Sequence, residues 1–141
     1  MKELSFMAVD NHIIELSNYR LNKAKENIKA AKILLESKHY SESLNRSYYA
    51  IFHSLRGLLA YDEFDSKKHS GIISYFNRAY VKNGDFSKDF SVILNEAFMI
   101  RNKSDYDDFY IASKKEAEEQ IKKAEIFING IENYISTKIL E

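Results

Sequence analysis

The chain has 141 residues, 45% of them hydrophobic and 30% charged, the size and balance of one soluble globular domain and not of a disordered tract. Twenty-one Lys+Arg against twenty-one Asp+Glu give a formal net charge of +0, which excludes a global field drawing the molecule onto nucleic acid or membrane and leaves local patches for such work. The lack of cysteine excludes disulfides, thiolate metal sites and cysteine nucleophiles, while the lack of proline and a total of four glycines argue for long helices over a turn-rich β fold.

Residues 1–16 are mixed and weakly periodic, an N-terminal arm, a frayed turn or an extension of the first helix. Glu3, Asp10 and Glu15 interrupt any apolar leader after Lys2, and no run approaches the roughly 18 apolar residues of a membrane span. A cytoplasmic protein without membrane contact is expected. From Ser17 to Lys38, the apolar set Leu21, Ala24, Ile28, Ala31 and Leu35 recurs at spacings of three and four, one stripe of a first helix. Ser41 to Ala60 carries Leu44, Tyr48, Ile51, Phe52, Leu55, Leu58 and Leu59, a second and more apolar helix.

After a polar connection, Ile72, Ile73, Phe76 and Tyr80 predict a shorter third helix ending near Gly84, where glycine suits the left-handed C-terminal position. Asp85 or Ser87 is placed to cap a fourth helix running to about Ser104, with Phe90, Ile93, Leu94, Ala97 and Phe98 inward. In the last segment Ser113 and Glu116 match a capping box, followed by Ala117, Ile121, Ala124, Ile128, Ile131 and Ile135 in one stripe. Four to five amphipathic helices with short links predict an all-α, antiparallel up-and-down bundle, a single domain over residues 17–141.

Residues 17–60 hold eight basic and three acidic side chains, a net of +5, so the remainder carries −5. This basic hairpin is either a solvated lysine face or part of a binding surface. On the second helix Arg46, Tyr49, His53 and Arg56 fall within an arc of roughly 80° at about 100° per residue, offset from the apolar stripe. Such a set suits phosphate or nucleotide, or else Tyr49 and His53 are polar residues satisfied between helices. Arg101 continues the apolar stripe of the fourth helix, where a bundle prefers leucine, and a half-buried arginine needs a partner. Asp105, one turn on, would pair with it and close the helix end. Alternatively, Arg101 is held to meet a phosphate.

No metal pattern stands out. Among His12, His39, His53 and His69 no two are three or four apart, and the Asp105, Asp107, Asp108 cluster lacks the glycine and terminal glutamate of a calcium loop. Glycine-rich phosphate loops and serine-nucleophile signatures are also missing, so neither metal nor cofactor is expected.

The stretch Ser47-Tyr48-Tyr49-Ala50-Ile51-Phe52-His53, then Lys68-His69-Ser70-Gly71-Ile72-Ile73, then Arg101-Asn102-Lys103-Ser104-Asp105-Tyr106 resembles the HEPN domain family, helical domains named for higher eukaryotes and prokaryotes nucleotide binding. The resemblance spans residues 17 to 137. It implies an antiparallel helical bundle and a homodimer in which the Arg-led motif of each subunit faces a shared cleft. It also implies action on RNA or nucleotides, as one half of a toxin–antitoxin pair with a minimal nucleotidyltransferase.

Family members include metal-independent ribonucleases in which an arginine and a polar neighbour precede a histidine. There a ribose 2′-hydroxyl attacks the adjacent phosphate, the histidine moves a proton and the arginine stabilises the developing charge. Position by position, the arginine is Arg101, the polar neighbour Asn102, and the histidine's place is taken by Tyr106. The sequence thus resembles the branch with an Asp-Tyr pair, Asp105-Tyr106. A tyrosine with an ordinary pKa of about 10 is a poor base at neutral pH, which leaves His53 or His69 to supply a proton relay. Arg46, Tyr49 and His53 are expected to form the opposite wall of the cleft. A second reading, of a different class, is a catalytically silent helical module that binds a partner protein through ten tyrosines and nine phenylalanines.

Overall fold

The structure, a computed structural model, describes residues 10–140. Five helices succeed one another: α1 (Asn11–Glu36), α2 (Tyr40–Leu59), α3 (His69–Phe76), α4 (Lys88–Tyr106) and α5 (Lys114–Leu140). No strand occurs among the described residues, and the fold is the expected all-α bundle. A 3-10 turn at Ala60–Asp62 comes after α2, and a π-helical turn at Asn77–Val81 continues α3. No helix among the described residues is long and apolar enough to cross a membrane.

The first helix starts at Asn11, ahead of Ser17. Asp10 caps it, its side chain accepting the His12 N–H at 2.7 Å. Ser17 is fully buried, and the inward stripe runs back through it to the half-buried Ile14 and Ile13. Residues 1–9 of the expected arm lie outside the described residues.

The α1–α2 hairpin closes on Lys38, which adopts φ 64. Its N–H donates to the Leu35 carbonyl at 3.0 Å and the His39 N–H to the Leu34 carbonyl at 2.8 Å, the paired bonds that end a helix through a left-handed residue, here without the usual glycine. Gly57 lets α2 approach α1 closely: a Cβ there would lie 3.2 Å from Leu21 Cγ and 3.3 Å from the Ser17 carbonyl oxygen. Across the same seam Ser43 donates to the Ala31 carbonyl at 2.8 Å, satisfying a buried hydroxyl.

The spine of the bundle is α2, packed against α1, α3, α4 and α5. Its Leu44, Tyr48, Ile51, Phe52, Leu55, Leu58 and Leu59 are all buried, and full burial of one such side chain contributes about 1.5–3 kcal/mol. On α5 the stripe from Ala117 to Ile135 is buried as the spacing predicts, with Phe127 and Gln120 added to it. The fourth helix fully buries only Leu94 and Ala97, so Phe90, Ile93 and Phe98 sit at the core margin.

Polar bonds fix the remaining pieces. Tyr75 and Tyr80 both donate to Asp62 Oδ2, at 3.0 and 2.7 Å, tying the 3-10 turn to α3 and the π turn. Ser87 stands at the N-terminus of α4 in extended geometry without a side-chain capping bond. In the predicted capping box of α5 the Glu116 N–H donates to Ser113 Oγ at 3.0 Å, while the Glu116 carboxylate accepts from the Tyr110 hydroxyl. Part of the basic face of α1 is neutralised by α5: Lys25 meets Glu132 at 2.7 Å and Lys32 meets Glu125 at 3.0 Å.

Candidate functional site

Two faces meet where α2 passes the C-terminal turn of α4. The helical period that sends Leu44, Tyr48 and Leu55 into the core turns Arg46, Tyr49 and His53 to its margin, where each is half-buried. On α4 the stripe that includes Leu94 and Ala97 arrives at Arg101 in its last turns.

Arg101 is held on every side. Its Nη2 donates to the Tyr49 hydroxyl at 3.1 Å and its Nη1 to Asn102 Oδ1 at 3.2 Å. Nε lies 3.0 Å from Asp105 Oδ2 in an ion pair within the helix, sealed from solvent yet out of line for a hydrogen bond. The guanidinium also stands 5.6 Å from the ring centroids of Tyr48, Tyr49 and Tyr106, a cation–π arrangement. Its side chain is 16% exposed, enough for a ligand to reach one edge.

The second cation, Arg46, sits 5.5 Å from the same Tyr49 ring. Its hydrogen bonds go to neutral amides: Asn45 Oδ1 at 2.6 and 3.1 Å, and Asn27 Oδ1 at 3.2 Å. Asn45 in turn donates to Asp105 Oδ2 at 3.3 Å. Two guanidiniums therefore share one tyrosine ring, Arg101 facing the Asp105 carboxylate directly and Arg46 reaching it through Asn45, and among the described residues the cluster keeps a net positive charge.

The histidines join through the aromatic rings. Tyr49 lies 6.1 Å from the His53 ring and 6.0 Å from that of His69, and His69 stacks on Phe52 at 4.0 Å. His69 Nδ1 is 2.7 Å from the Tyr48 hydroxyl. Burial, reinforced by the charges of Arg101 and Arg56, holds the His69 pKa below its ordinary value. Burial also lowers that of His53, with the charges of Arg56, Lys23, Arg46 and Arg20 adding to it. Both shifts favour the neutral ring. Burial pushes the Tyr48 hydroxyl far up, so it stays protonated.

Of the residues singled out in the sequence, Arg46, Tyr49, His53, His69, Arg101, Asn102, Asp105 and Tyr106 thus belong to one connected cluster, with Tyr49 at its centre. Arg56, from the same arc, turns away to pair with Asp65 through two bonds of 2.7 and 3.3 Å. Sequence reasoning missed Asn45 and assigned Tyr48 to the core alone. The signal for Tyr48 was its hydroxyl, since a buried tyrosine oxygen needs a partner. Among the described residues no group of three or more His, Asp or Glu is arranged to hold a metal ion.

A sequence profile of the HEPN domain matches residues 17–134. The chain belongs to the HEPN domain family. Among HEPN relatives it is 39% identical over 108 residues to the "Putative toxin MJ0605" of Methanocaldococcus jannaschii, covering 77% of this chain and 80% of that protein. A second protein of the same archaeon, "Putative toxin MJ0142", is 31% identical over 118 residues, 84% of this chain and 80% of its own length. A Thermotoga maritima "UPF0332 protein" is 32% identical over 121 residues, 86% and 92% of the two chains. The HEPN match takes in all of α2, α3 and α4, and hence the whole Arg101 cluster.

Proposed function

We propose that this HEPN protein binds RNA or a nucleotide through a phosphate at Arg101, as a cytoplasmic homodimer and one half of a toxin–antitoxin pair with a minimal nucleotidyltransferase. The observation that carries this reading is the charge of the cluster: Arg46 and Arg101 lie 5.5 and 5.6 Å from the ring of Tyr49 with Asp105 as the one counter-charge bonded into the cluster among the described residues. Oriented guanidiniums in a partly dry site suit a phosphate group. The toxin names of the archaeal relatives support the pairing.

In this reading any RNA cleavage proceeds without a metal, and His69 takes the part of the motif histidine. This role requires the neutral tautomer with its hydrogen on Nδ1, facing the Tyr48 oxygen at 2.7 Å, so that Nε2 accepts a proton from a ribose 2′-hydroxyl. Arg101 stabilises charge on the phosphate, and Tyr106 and Asn102 line the approach. The test compares single-stranded RNA binding and cleavage by the wild type and Arg101→Ala, in chelator, once circular dichroism and sizing show both folded as dimers. Loss of binding in the variant supports the reading, and equal binding by both sinks it.

A second reading, a silent protein-binding module, is favoured by the exposed aromatic and apolar end of the bundle. Tyr106, Phe109 and Ile111 are 73%, 93% and 89% exposed, more apolar surface than a solvated loop needs. A salt titration separates the two readings, because phosphate contacts weaken steeply with salt and an apolar interface does not.

A further inference from the structure

Between α3 with its π turn and α4 lies an open groove of about 580 Å³, with Ser70 and Phe98 in its lining. Arg78 and Lys82 stand along it; both are exposed, and neither forms an ion pair among the described residues. Arg78 rests 5.5 Å from the Tyr75 ring, which fixes its direction without consuming its charge. No carboxylate lines the groove, and its apolar floor includes Phe98. Two cations without a facing carboxylate beside an aromatic surface match the phosphates and bases of a polynucleotide strand.

The groove adjoins the cluster through its lining residues Phe98 and Ser70. Phe98 lies 6.0 Å from the Tyr48 ring, which Arg101 also faces, and Ser70 comes directly after His69 in sequence. We propose that the groove carrying Arg78 and Lys82 holds the backbone of single-stranded RNA flanking the nucleotide bound at Arg101. The ligand is then a strand several nucleotides long and not a mononucleotide. This rests on the reading of Arg101 as the phosphate site.

The experiment uses the full chain and a labelled short oligouridine, with affinity measured across a salt series. The Arg78→Ala/Lys82→Ala double variant removes two contacts at exposed positions, and Lys115→Ala/Lys122→Ala on α5 removes the same charge elsewhere. Asn95→Asp places a carboxylate in the groove and leaves both cations intact. A lost phosphate contact on a single strand lowers the slope of log affinity against log salt by about 0.7, so the groove double variant should lose about 1.4. Asn95→Asp should weaken binding as well, while the α5 double variant keeps the wild-type slope. If Arg101→Ala abolishes binding but the groove variants match the α5 control, the groove assignment is overturned and the Arg101 site stands. If the wild type binds no oligouridine, or Arg101→Ala binds as well as the wild type, the reading of the cluster itself fails, and the groove assignment with it.

Discussion

Nη2 of Arg101 on α4 donates to the hydroxyl of Tyr49 on α2 at 3.1 Å, so the guanidinium is oriented by a neutral group from another helix as well as by the Asp105 carboxylate on its own. Tyr49→Phe removes that bond while keeping the ring that both guanidiniums face. It should lower stability by about 1 kcal/mol and reduce RNA affinity several-fold, with the helical spectrum unchanged. Urea unfolding and fluorescence anisotropy read the two effects separately.

Asp105 competes with any incoming anion for Arg101, since its carboxylate lies 3.0 Å from Nε. Asp105→Asn should therefore tighten RNA binding while lowering stability by about 1 kcal/mol or less, the scale of a partly exposed ion pair. A structural pairing with no ligand role predicts the stability loss alone. The two measurements on one variant decide between them.

Stability should fall on mild acidification. His53 and His69 have folded pKa values below the ordinary 6.5, so as the pH drops through about 6.5 the unfolded chain takes up protons that the folded chain resists. The stabilisation is complete above that range and lost below it. Urea midpoints between about pH 8 and pH 5.5 should decline for the wild type and flatten in His53→Gln/His69→Gln. A wild-type midpoint that is level across this window would show the two rings titrating normally in the fold.

Lys38 holds a left-handed conformation at φ 64, which disfavours residues with a Cβ by about 1–2 kcal/mol. Glycine relieves that strain but gives up about 0.4–1 kcal/mol through the freer unfolded chain. Lys38→Gly should therefore stabilise by about 0.5–1 kcal/mol, seen as a rise in the urea midpoint without a change in slope.

The helices are legible in the sequence because period and burial agree: the stripes of α2 and α5 stand out by their spacing and are buried as that spacing predicts. The start of α1 is hidden because Ser17, a polar residue, occupies a core position and interrupts the apolar count. The π turn leaves no trace in the sequence, since five residues between Phe76 and Lys82 fit an ordinary helix equally well on paper. Within the candidate site, Arg101 and the arc of α2 stand out as polar side chains on or beside apolar faces. Tyr48 does not, because its ring satisfies the core pattern and its hydroxyl, bonded to His69, is silent in a hydropathy count. That Arg46 has only amide partners is likewise a matter of tertiary neighbours, since Asn27 comes from α1.

The π-helical turn at Asn77–Val81 amounts to one residue more than an α-helical path would use, and it sets the angular phase of the chain beyond it. The turn absorbs that residue, whereas deleting one from the α-helical part of α3 would rotate every later side chain by about 100° relative to the start of the helix. Lys82 would swing away from α4, and Tyr80 would lose its alignment with Asp62. The length of α3 is therefore under tighter constraint than residue identity in the turn: substitutions at exposed Arg78 or Lys82 should leave the fold intact, whereas a single deletion between His69 and Phe76 should unseat the aromatic packing of Tyr80 and Phe86.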